Sequence, residues 1–580
     1  MYNVYSGAVK VLYNVLFANE YLARRITDTE LLKTFLLVSV FENIFPCVWL
    51  DASLCLTVCL KKKIHHRKEM RYEMQFARSS GILLHPTSLP GAFGSGDLGT
   101  SAYQFVDWLS SAGQSLWQML PLGPAGMANS PYMSLSAFAG SPLLIDLEEL
   151  LSHGWLVQND FQLLPNVLKS RVKYSEVSVL RMNILWKAAQ NFFEHGNEKD
   201  RQRYDTFCEE EKKWLNDYSL FQALNDHYGG KEWVVWDHDF VHRKSSALRQ
   251  AAEEWKAQVN YHKFMQWCFA RQWKNLKRYA NDRNIKLVGD IPIFVAHHSA
   301  DVWSNQEAFT LDKDGRPLIV AGVPPDYFSE DGQRWGNPLY RWDVMKQQKY
   351  SWWIERFRKT FELFDILRID HFRGFEAYWR IPAKEKTARI GKWVKGPGED
   401  LFKAIIKKLG TLPIIAEDLG VVTPGVTALR ETFGFPGMKV LQFAFSADPQ
   451  DNFLPHGYNK NCVVYTGTHD NDTTFGWYEK ATEHERDFVR RYCKTNGNEI
   501  HWDLMKLALE SVADIAVIPF QDVLGLGSEG RMNFPGTIDG NWEWRFTWEQ
   551  LDPWSTSRLY ELTALYGRTK SDRLNLIPVP

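Results

Sequence analysis

Eight short apolar runs divide the chain from residue 79 onward, and each ends in a polar or Gly/Pro-containing loop. Amphipathic stretches with helical spacing separate most of them. Short apolar runs rich in β-branched and aromatic residues are typical of buried parallel strands. The runs are GILLH, SLWQMLPL, IKLVGDIPIFV, FDILRID, LPIIAED, MKVLQFAF, CVVYTGTHD and DIAVIPFQD, starting at residues 81, 115, 285, 364, 412, 438, 462 and 514. Eight such strands alternating with helices predict an α/β fold, a (β/α)8 TIM barrel.

Two insertions interrupt the predicted barrel, which we assign to residues 74–580. Residues 147–284, between the second and third runs, have helical periodicity and are too long for a loop, so they predict an inserted helical subdomain. An aromatic insertion at residues 320–343, after the third run, predicts a lid loop. The first barrel helix fits residues 101–113, with Ser101 as its N-cap and a glycine as its stop.

Residues 1–73 differ from the rest of the chain. Their apolar stretch contains Glu42 and Asp51, and a basic run follows it. A membrane span needs about 20 mostly uncharged residues, and a signal peptide would place its basic residues first. We therefore expect an extension outside the functional domain, an upstream translated stretch with the working protein starting at Met70 or Met74. A membrane anchor is the alternative.

Composition excludes some partners and leaves others open. The 68 basic and 69 acidic residues nearly cancel, so no global field points to nucleic acid or to an anionic membrane. The seven cysteines have no paired spacing, which indicates reduced thiols in the cytoplasm, or in a plastid if the source is a photosynthetic eukaryote. The 24 tryptophans are explained either by core packing or by platforms for the faces of sugar rings.

Candidate catalytic acids lie within or at the ends of four of the runs. The third run contains Asp290, the fourth ends at Asp370, the fifth ends at Glu417 and Asp418, and the seventh ends at Asp470. Catalytic groups of such barrels lie at the C-terminal ends of the strands, where the loops converge. These acids are hard to explain as core residues, because a buried carboxylate needs polar partners. The alternative explanation is that they cap helices or form ion pairs.

The residue types indicate glycoside chemistry, because most glycosidases use two carboxyl groups that flank the scissile bond. Arg368 is two residues before Asp370 and so shares its strand face, where it would keep Asp370 ionised as a nucleophile. Glu417 follows an apolar run, and desolvation there would favour its protonated form. Asp470 is then placed to bind ring hydroxyls, and His371 can donate to another hydroxyl.

Three motifs resemble those of a known family. RIDHFRG, IIAEDLG and YTGTHDND are together similar to the amylomaltases or disproportionating enzymes, the 4-α-glucanotransferases of glycoside hydrolase family 77 in the α-amylase clan. The resemblance extends from about residue 79 to the C-terminus and includes SSGILLHPTSLPG, SPYMSLSAFAG, GDIPIFVAHHSADVW, VPPDYFSEDGQRWGNPLYRW and GRMNFPGT. Residues 1–73 are the one clear departure from it.

The resemblance implies a role for each motif residue. Asp370 would be the nucleophile, Glu417 the acid/base and Asp470 the stabiliser of the transition state. Implied sugar contacts come from Arg368, His371, His469, Asp290, Tyr132 and Asn533, and from Tyr327, Phe328, Gln333 and Trp335 in a loop arching over the cleft.

The implied activity is a retaining transfer of α-1,4-glucan segments between maltooligosaccharide, starch or glycogen-type chains. It needs no cofactor and no metal. An α-glucan hydrolase acting through the same site is one alternative, and an inactive glucan-binding protein is another.

Overall fold

A computed structural model of the chain describes residues 76–161, 169–325, 329–420, 422–446 and 448–569. The extension expected at residues 1–73 lies outside the described residues, so both interpretations of it stay predictions. Tyr327 and Phe328 also lie outside them. Within the described part, no helix is both long enough and apolar enough to cross a membrane.

Twelve strands are present in the described residues. They are β1 (Ser79–Leu83), β2 (Leu116–Gln118), β3 (Lys286–Pro292), β4 (Ile319–Val323), β5 (Gln333–Pro338), β6 (Ile366–Asp370), β7 (Ala377–Pro382), β8 (Lys392–Lys395), β9 (Ile414–Ala416), β10 (Gly437–Val440), β11 (Cys462–Tyr465) and β12 (Ile515–Pro519).

Eight of these strands form a closed parallel barrel. Around the barrel the order is β1-β2-β3-β6-β9-β10-β11-β12, and β12 pairs with β1 from Ser79↔Ile515 to Leu83↔Pro519 to close it. Each barrel strand overlaps one of the eight apolar runs. The predicted (β/α)8 barrel is therefore confirmed.

Eighteen α-helices accompany the strands in the same part of the chain. They are α1 (Thr100–Ser111), α2 (Leu147–Ser152), α3 (Tyr174–His195), α4 (Glu198–Glu210), α5 (Lys212–His227), α6 (His238–Val241), α7 (Ser245–Glu254), α8 (Lys256–Asp282), α9 (Ala300–Ser304), α10 (Trp342–Gln347), α11 (Ser351–Leu363), α12 (Glu399–Leu409), α13 (Pro424–Thr432), α14 (Thr474–Lys480), α15 (Glu483–Cys493), α16 (Ile500–Glu510), α17 (Phe520–Val523) and α18 (Pro553–Leu565).

Helix α1 shows how the helices cover the barrel. Its apolar stripe buries Phe105 against Trp117 of β2, with ring centroids 4.9 Å apart. The predicted N-cap was wrong: the helix starts one residue earlier, at Thr100, so Ser101 lies inside the first turn. The cap is Gly99, whose own N–H is held by the Asp97 carboxylate at 3.0 Å. Gly113, with φ +72°, follows the helix end as predicted.

The segment between β2 and β3 is helical, as predicted, and contains α2 to α8. The 27-residue helix α8 is its spine and packs against α3, α5 and α1. Phe264 and Trp267 of α8 meet Phe192 of α3 and Trp155, with Phe264–Phe192 centroids 5.0 Å apart. Because α8 also leads into β3, it joins this helical layer to the barrel wall. The subdomain boundary itself stays a prediction.

A second sheet with the strand order β5-β4-β7-β8 is antiparallel. It adds detail to the insertion expected at residues 320–343, because β4 and β5 form a hairpin there with Val323 opposite Gln333. The sequence pattern did not reveal the second sheet, because β4 also pairs with β7, a strand that follows β6 in the chain. Such pairing depends on chain segments brought together by the barrel and not on local periodicity.

Candidate active site

The barrel brings the strand-end acids to one end of the fold. Asp290 in β3 and Arg368 in β6 are register partners, and Asp370 is the last residue of β6. Glu417 directly follows β9, which pairs with β6. Asp470 lies five residues after the end of β11. The contacts described below connect all four acids through shared neighbours.

Arg368 is the centre of this polar network. Its Nη1 donates to both carboxylate oxygens of Asp290, at 2.8 and 2.6 Å, and its Nη2 donates to Oδ1 of Asp370 at 3.0 Å. Its Nε donates to the sulfur of Met438 at 3.4 Å. Burial alone would lower the pKa of Arg368, but the carboxylates of Asp290 and Asp370 outweigh it and raise that pKa well above its usual range. Arg368 is therefore a permanent cation next to Asp370.

Asp290 is buried beneath the site and serves as the counter-ion of Arg368. Burial raises the pKa of the Asp290 carboxyl, and the Arg368 charge opposes that shift. Tyr132 adds a third hydrogen bond, from its hydroxyl to Oδ2 of Asp290 at 2.8 Å. Burial, followed by the Asp290 charge, raises the pKa of Tyr132, so the phenol stays a donor. With three donated bonds, two from a guanidinium, Asp290 is held as the ionised acceptor.

Backbone groups hold the carboxyl group of Glu417. The N–H of His371 donates to Oε2 at 2.6 Å, and the N–H of Leu419 donates to Oε1 at 2.8 Å. Burial, followed by the charge of Asp370, raises the pKa of Glu417 to about 7, although these N–H groups and Arg368 oppose the shift. A carboxyl group with that pKa can both give and take a proton near neutral pH.

His371 has a left-handed backbone conformation, with φ +51°. Only glycine adopts this region without strain, and the conformation aims the His371 N–H at Glu417. Burial, followed by Arg373, lowers the pKa of the imidazole to about 3, so the ring is neutral. Its Nε2 atom is buried and has no hydrogen-bond partner among the described residues. A hydroxyl group of a ligand would supply the missing partner.

Asp470 is positioned by the C-terminal loop. Asn533 donates from its side chain to Oδ1 of Asp470 at 2.6 Å, and Nε2 of His469 lies 3.4 Å from the same oxygen. Arg531 donates to the backbone carbonyl of Asp470 and to that of Asn533, both at 2.8 Å. Sequence reasoning missed Arg531, although it lies two residues before Asn533 in the GRMNFPGT motif.

His469 contacts aromatic residues from two distant parts of the chain. Its ring stacks on Tyr132, with centroids 5.2 Å apart and planes at 21°, and Trp542 lies 5.9 Å from both rings. His85, which follows β1 closely and was not predicted, lines the same cavity as His469. Burial, and then His469, lowers the pKa of His85 to about 3.

The hairpin β4–β5 contributes two of the four residues predicted from the arching loop. Trp335 meets the ring of His371 edge-on, with centroids 4.8 Å apart. Its indole N–H donates to Oε1 of Gln333 at 3.1 Å. The other two, Tyr327 and Phe328, lie outside the described residues. Among the described residues no group of three or more His, Cys, Asp or Glu side chains is arranged to hold a metal ion.

Comparison with known proteins shows the family to which the chain belongs. The family model described as 4-alpha-glucanotransferase matches residues 84–551. The chain belongs to the 4-α-glucanotransferase family. It is 50% identical over 495 residues to the 4-alpha-glucanotransferase of Synechocystis sp., covering 85% of this chain and 98% of that protein. It is 51% identical over 494 residues to the Thermus thermophilus protein of the same name, with 84% and 98% covered.

A solved structure supports the same affiliation. The amylomaltase from Streptococcus agalactiae in complex with acarbose superposes with a TM-score of 0.83 at 39% sequence identity, covering 85% of this chain and 100% of that one. The 4-α-glucanotransferase match includes every described residue of the candidate site, from His85 to Trp542. The resemblance noted in the sequence is therefore confirmed at the level of the family.

Proposed function

We propose that this chain is a 4-α-glucanotransferase that moves α-1,4-glucan segments between maltooligosaccharide, starch or glycogen-type chains. The observation that carries the proposal is the pairing of two unlike carboxyl groups. Asp370 is next to the permanent cation Arg368, whereas Glu417 has a pKa raised to about 7. The N–H of His371, the residue after Asp370, binds Glu417 at 2.6 Å, so the two groups border one small space. A retaining mechanism needs such a pair.

In the first half of the reaction, Glu417 is protonated and Asp370 is ionised. Glu417 gives its proton to the glycosidic oxygen, and the C1–O bond of the donor chain breaks. A carboxylate oxygen of Asp370 forms a bond to C1, and the leaving glucan departs with the new hydroxyl. Arg368 stabilises the Asp370 carboxylate before attack and again when it is released.

In the second half, Glu417 is the base. It removes the proton from the 4-hydroxyl of an incoming glucan, and that oxygen attacks C1. The bond between C1 and Asp370 breaks, and both carboxyl groups return to their starting states. Because Glu417 must lose and regain a proton in each cycle, a pKa near the working pH serves both halves.

Three further groups are proposed to hold the sugar at the reaction centre. Asp470, fixed by Asn533, would bind ring hydroxyls and stabilise the positive charge that develops on the sugar in the transition state. His371 would accept or donate one hydrogen bond through its unpartnered Nε2. Trp335 covers the His371 ring, and this supports a site in which water is kept from the covalent intermediate.

The compartment is a separate proposal. Cys208, Cys268, Cys462 and Cys493 are free thiols, and this supports a reducing compartment, for which we propose the cytoplasm. A relative in Solanum tuberosum, 45% identical over 502 residues, is named chloroplastic/amyloplastic, so a plastid is the second candidate if the source is a photosynthetic eukaryote.

The test is incubation of the purified protein with maltotriose alone, followed by chromatography of the products, alongside Asp370→Asn. We expect free glucose together with a ladder of longer maltooligosaccharides, and we expect the variant to produce neither. Glucose and maltose without longer products would instead establish a hydrolase. If neither protein turned over maltotriose or longer chains, the glucan-binding alternative would replace the enzyme.

A further inference from the structure

Trp393 in β8 is an exposed indole held flat on a buried cation. The guanidinium carbon of Arg373 lies 3.9 Å from the centroid of its ring, and Trp379 meets it edge-on at 5.4 Å. Arg373 is 9% exposed, whereas Trp393 is 40% exposed. One face of the indole is therefore covered by Arg373, and a large part of the side chain remains open to solvent.

An open groove includes Lys395, which belongs to the same strand as Trp393. Its volume is about 640 Å³, and its lining includes Trp342, Lys346, Glu376, Lys395, Glu399 and Asp400. Lys395 is two residues after Trp393 in β8, so both side chains leave the same face of the strand. The lining has carboxylates, amines and two aromatic rings. Lys395 has no ion-pair partner within the described ranges, so its ammonium group is available to a ligand.

The groove is built on the same loop as the candidate active site. Its Gly-Pro-Gly wall bonds to the segment that follows His371: the N–H of Gly396 donates to the carbonyl of Glu376 at 2.7 Å, and the N–H of Gly398 donates to the carbonyl of Phe375 at 2.8 Å. Arg373, beneath the indole, is three residues after Asp370. A chain bound in the groove would thus lie beside the loop that carries the proposed nucleophile.

We propose that Trp393 and this groove form a second binding site for α-1,4-glucan chains, separate from the catalytic cleft. The proposal rests on the proposed function. The exposed part of the indole fits the apolar C–H face of a glucose ring, and the carboxylates and amines of the groove can bond to its hydroxyls. Groove charges of both signs favour a neutral polyhydroxyl chain over a strongly charged ligand. Short donors that fill only the cleft would not reach it.

The experiment compares Trp393→Ala with Trp554→Ala, a matched control because Trp554 is 55% exposed on the surface of α18, far along the chain from both sites. Initial rates are measured on amylose and on maltotriose. Truncation of an aromatic anchor costs roughly 1 kcal/mol or more, so the KM for amylose should rise about five- to ten-fold in Trp393→Ala. The KM for maltotriose should stay within about two-fold, and Trp554→Ala should change neither.

A binding measurement separates this site from turnover. Native electrophoresis through a gel containing soluble starch is run with Asp370→Asn as the background, so that the starch is not consumed. Retention should weaken when Trp393→Ala is added and persist when Trp554→Ala is added. Equal retention in all three proteins, or an unchanged KM for amylose, would overturn the second site. If retention followed Trp393 but no protein disproportionated maltotriose, the proposed function would fail and the site would stand.

If Trp393→Ala lost activity on both substrates, the variants Lys395→Ala and Trp393→Phe would test the second site in its place. Lys395 is exposed, so its truncation leaves the sheet intact. We expect a selective rise in the KM for amylose with Lys395→Ala and a smaller rise with Trp393→Phe. If the ratio of amylose to maltotriose activity were unchanged in both variants, the proposal would be wrong.

Discussion

The backbone N–H of His371 donates to Oε2 of Glu417 at 2.6 Å, and His371 is the residue directly after Asp370. The proposed acid/base is thus held by the main chain of the loop that follows the proposed nucleophile. Because the bond uses the peptide group, it survives any substitution at residue 371 that preserves the left-handed backbone. The carboxyl group of Glu417 is therefore bonded to the peptide group that directly follows Asp370.

This arrangement predicts different stabilities for two truncations of His371. At φ +51° a Cβ is strained by roughly 1 kcal/mol, which glycine avoids. Glycine loses part of this gain through the entropy of the unfolded chain. We expect His371→Gly to have a free energy of unfolding up to about 1 kcal/mol higher than His371→Ala, by urea denaturation. An alanine variant more stable than the glycine variant would contradict the backbone argument.

The raised pKa of Glu417 predicts how stability changes with pH. Burial, then Asp370, raises this pKa from 4.5 to about 7, so between these values the folded chain holds a proton that the unfolded chain has released. The contribution of Glu417 to the free energy of unfolding is then full below pH 4.5 and is lost as pH rises through about 7. Glu417→Gln should therefore flatten the decline in Tm between pH 4.5 and 7.5, measured by calorimetry. An identical decline in the variant would assign it to other groups.

Asp370 contributes to that raised pKa, which gives a second pH prediction. Asp370→Asn removes the neighbouring negative charge, the second-largest cause after burial, so the pKa of Glu417 should fall towards its ordinary value. The titration can be followed by NMR of the isotopically labelled carboxyl carbon. Asp343→Asn, at an exposed position on α10, is the control and should leave the titration unchanged. A pKa that did not fall in Asp370→Asn would mean that burial alone sets it.

The sequence predicted the barrel well because each of its strands is buried on both faces and so appears as a continuous apolar run. The acids were found for the same reason: Asp370 and Glu417 stand out at the ends of such runs. The second sheet was missed because QRWGNP in β5 has no alternating pattern and belongs to a sheet that tertiary structure assembles. Arg531 was missed because it acts through carbonyl groups, which no side-chain motif records.

Trp335 predicts an effect on the balance between transfer and hydrolysis. Its indole covers the ring of His371, so truncation opens a path for water to the reaction centre. We expect Trp335→Ala to release several-fold more reducing ends per transfer event on maltoheptaose, measured by chromatography with a reducing-sugar assay. Trp554→Ala should keep the original ratio. A lower rate with an unchanged ratio would show that Trp335 only binds substrate.

Arg531 gives the prediction that depends most on geometry. One guanidinium bonds to the carbonyl groups of both Asp470 and Asn533, while the Asn533 amide bonds to the Asp470 carboxylate at 2.6 Å. Arg531→Gln breaks this clamp and leaves the Asp470 carboxylate free to shift. Misplacement of a catalytic group by about 1 Å can cost on the order of 100-fold in rate.

We therefore expect Arg531→Gln to lower kcat on maltotriose about 10- to 100-fold with little change in KM, because Asp470, the proposed stabiliser of the transition state, is displaced while the donor still binds. Arg531→Lys should recover part of the rate through a single hydrogen bond. Arg558→Gln, which removes a surface arginine paired with Glu499, should leave kcat unchanged. A purely structural role would lower Tm and the fraction of active enzyme, with kcat per active site preserved. Active-site titration of each variant separates that outcome from the clamp, since only displacement of Asp470 slows the sites that remain folded.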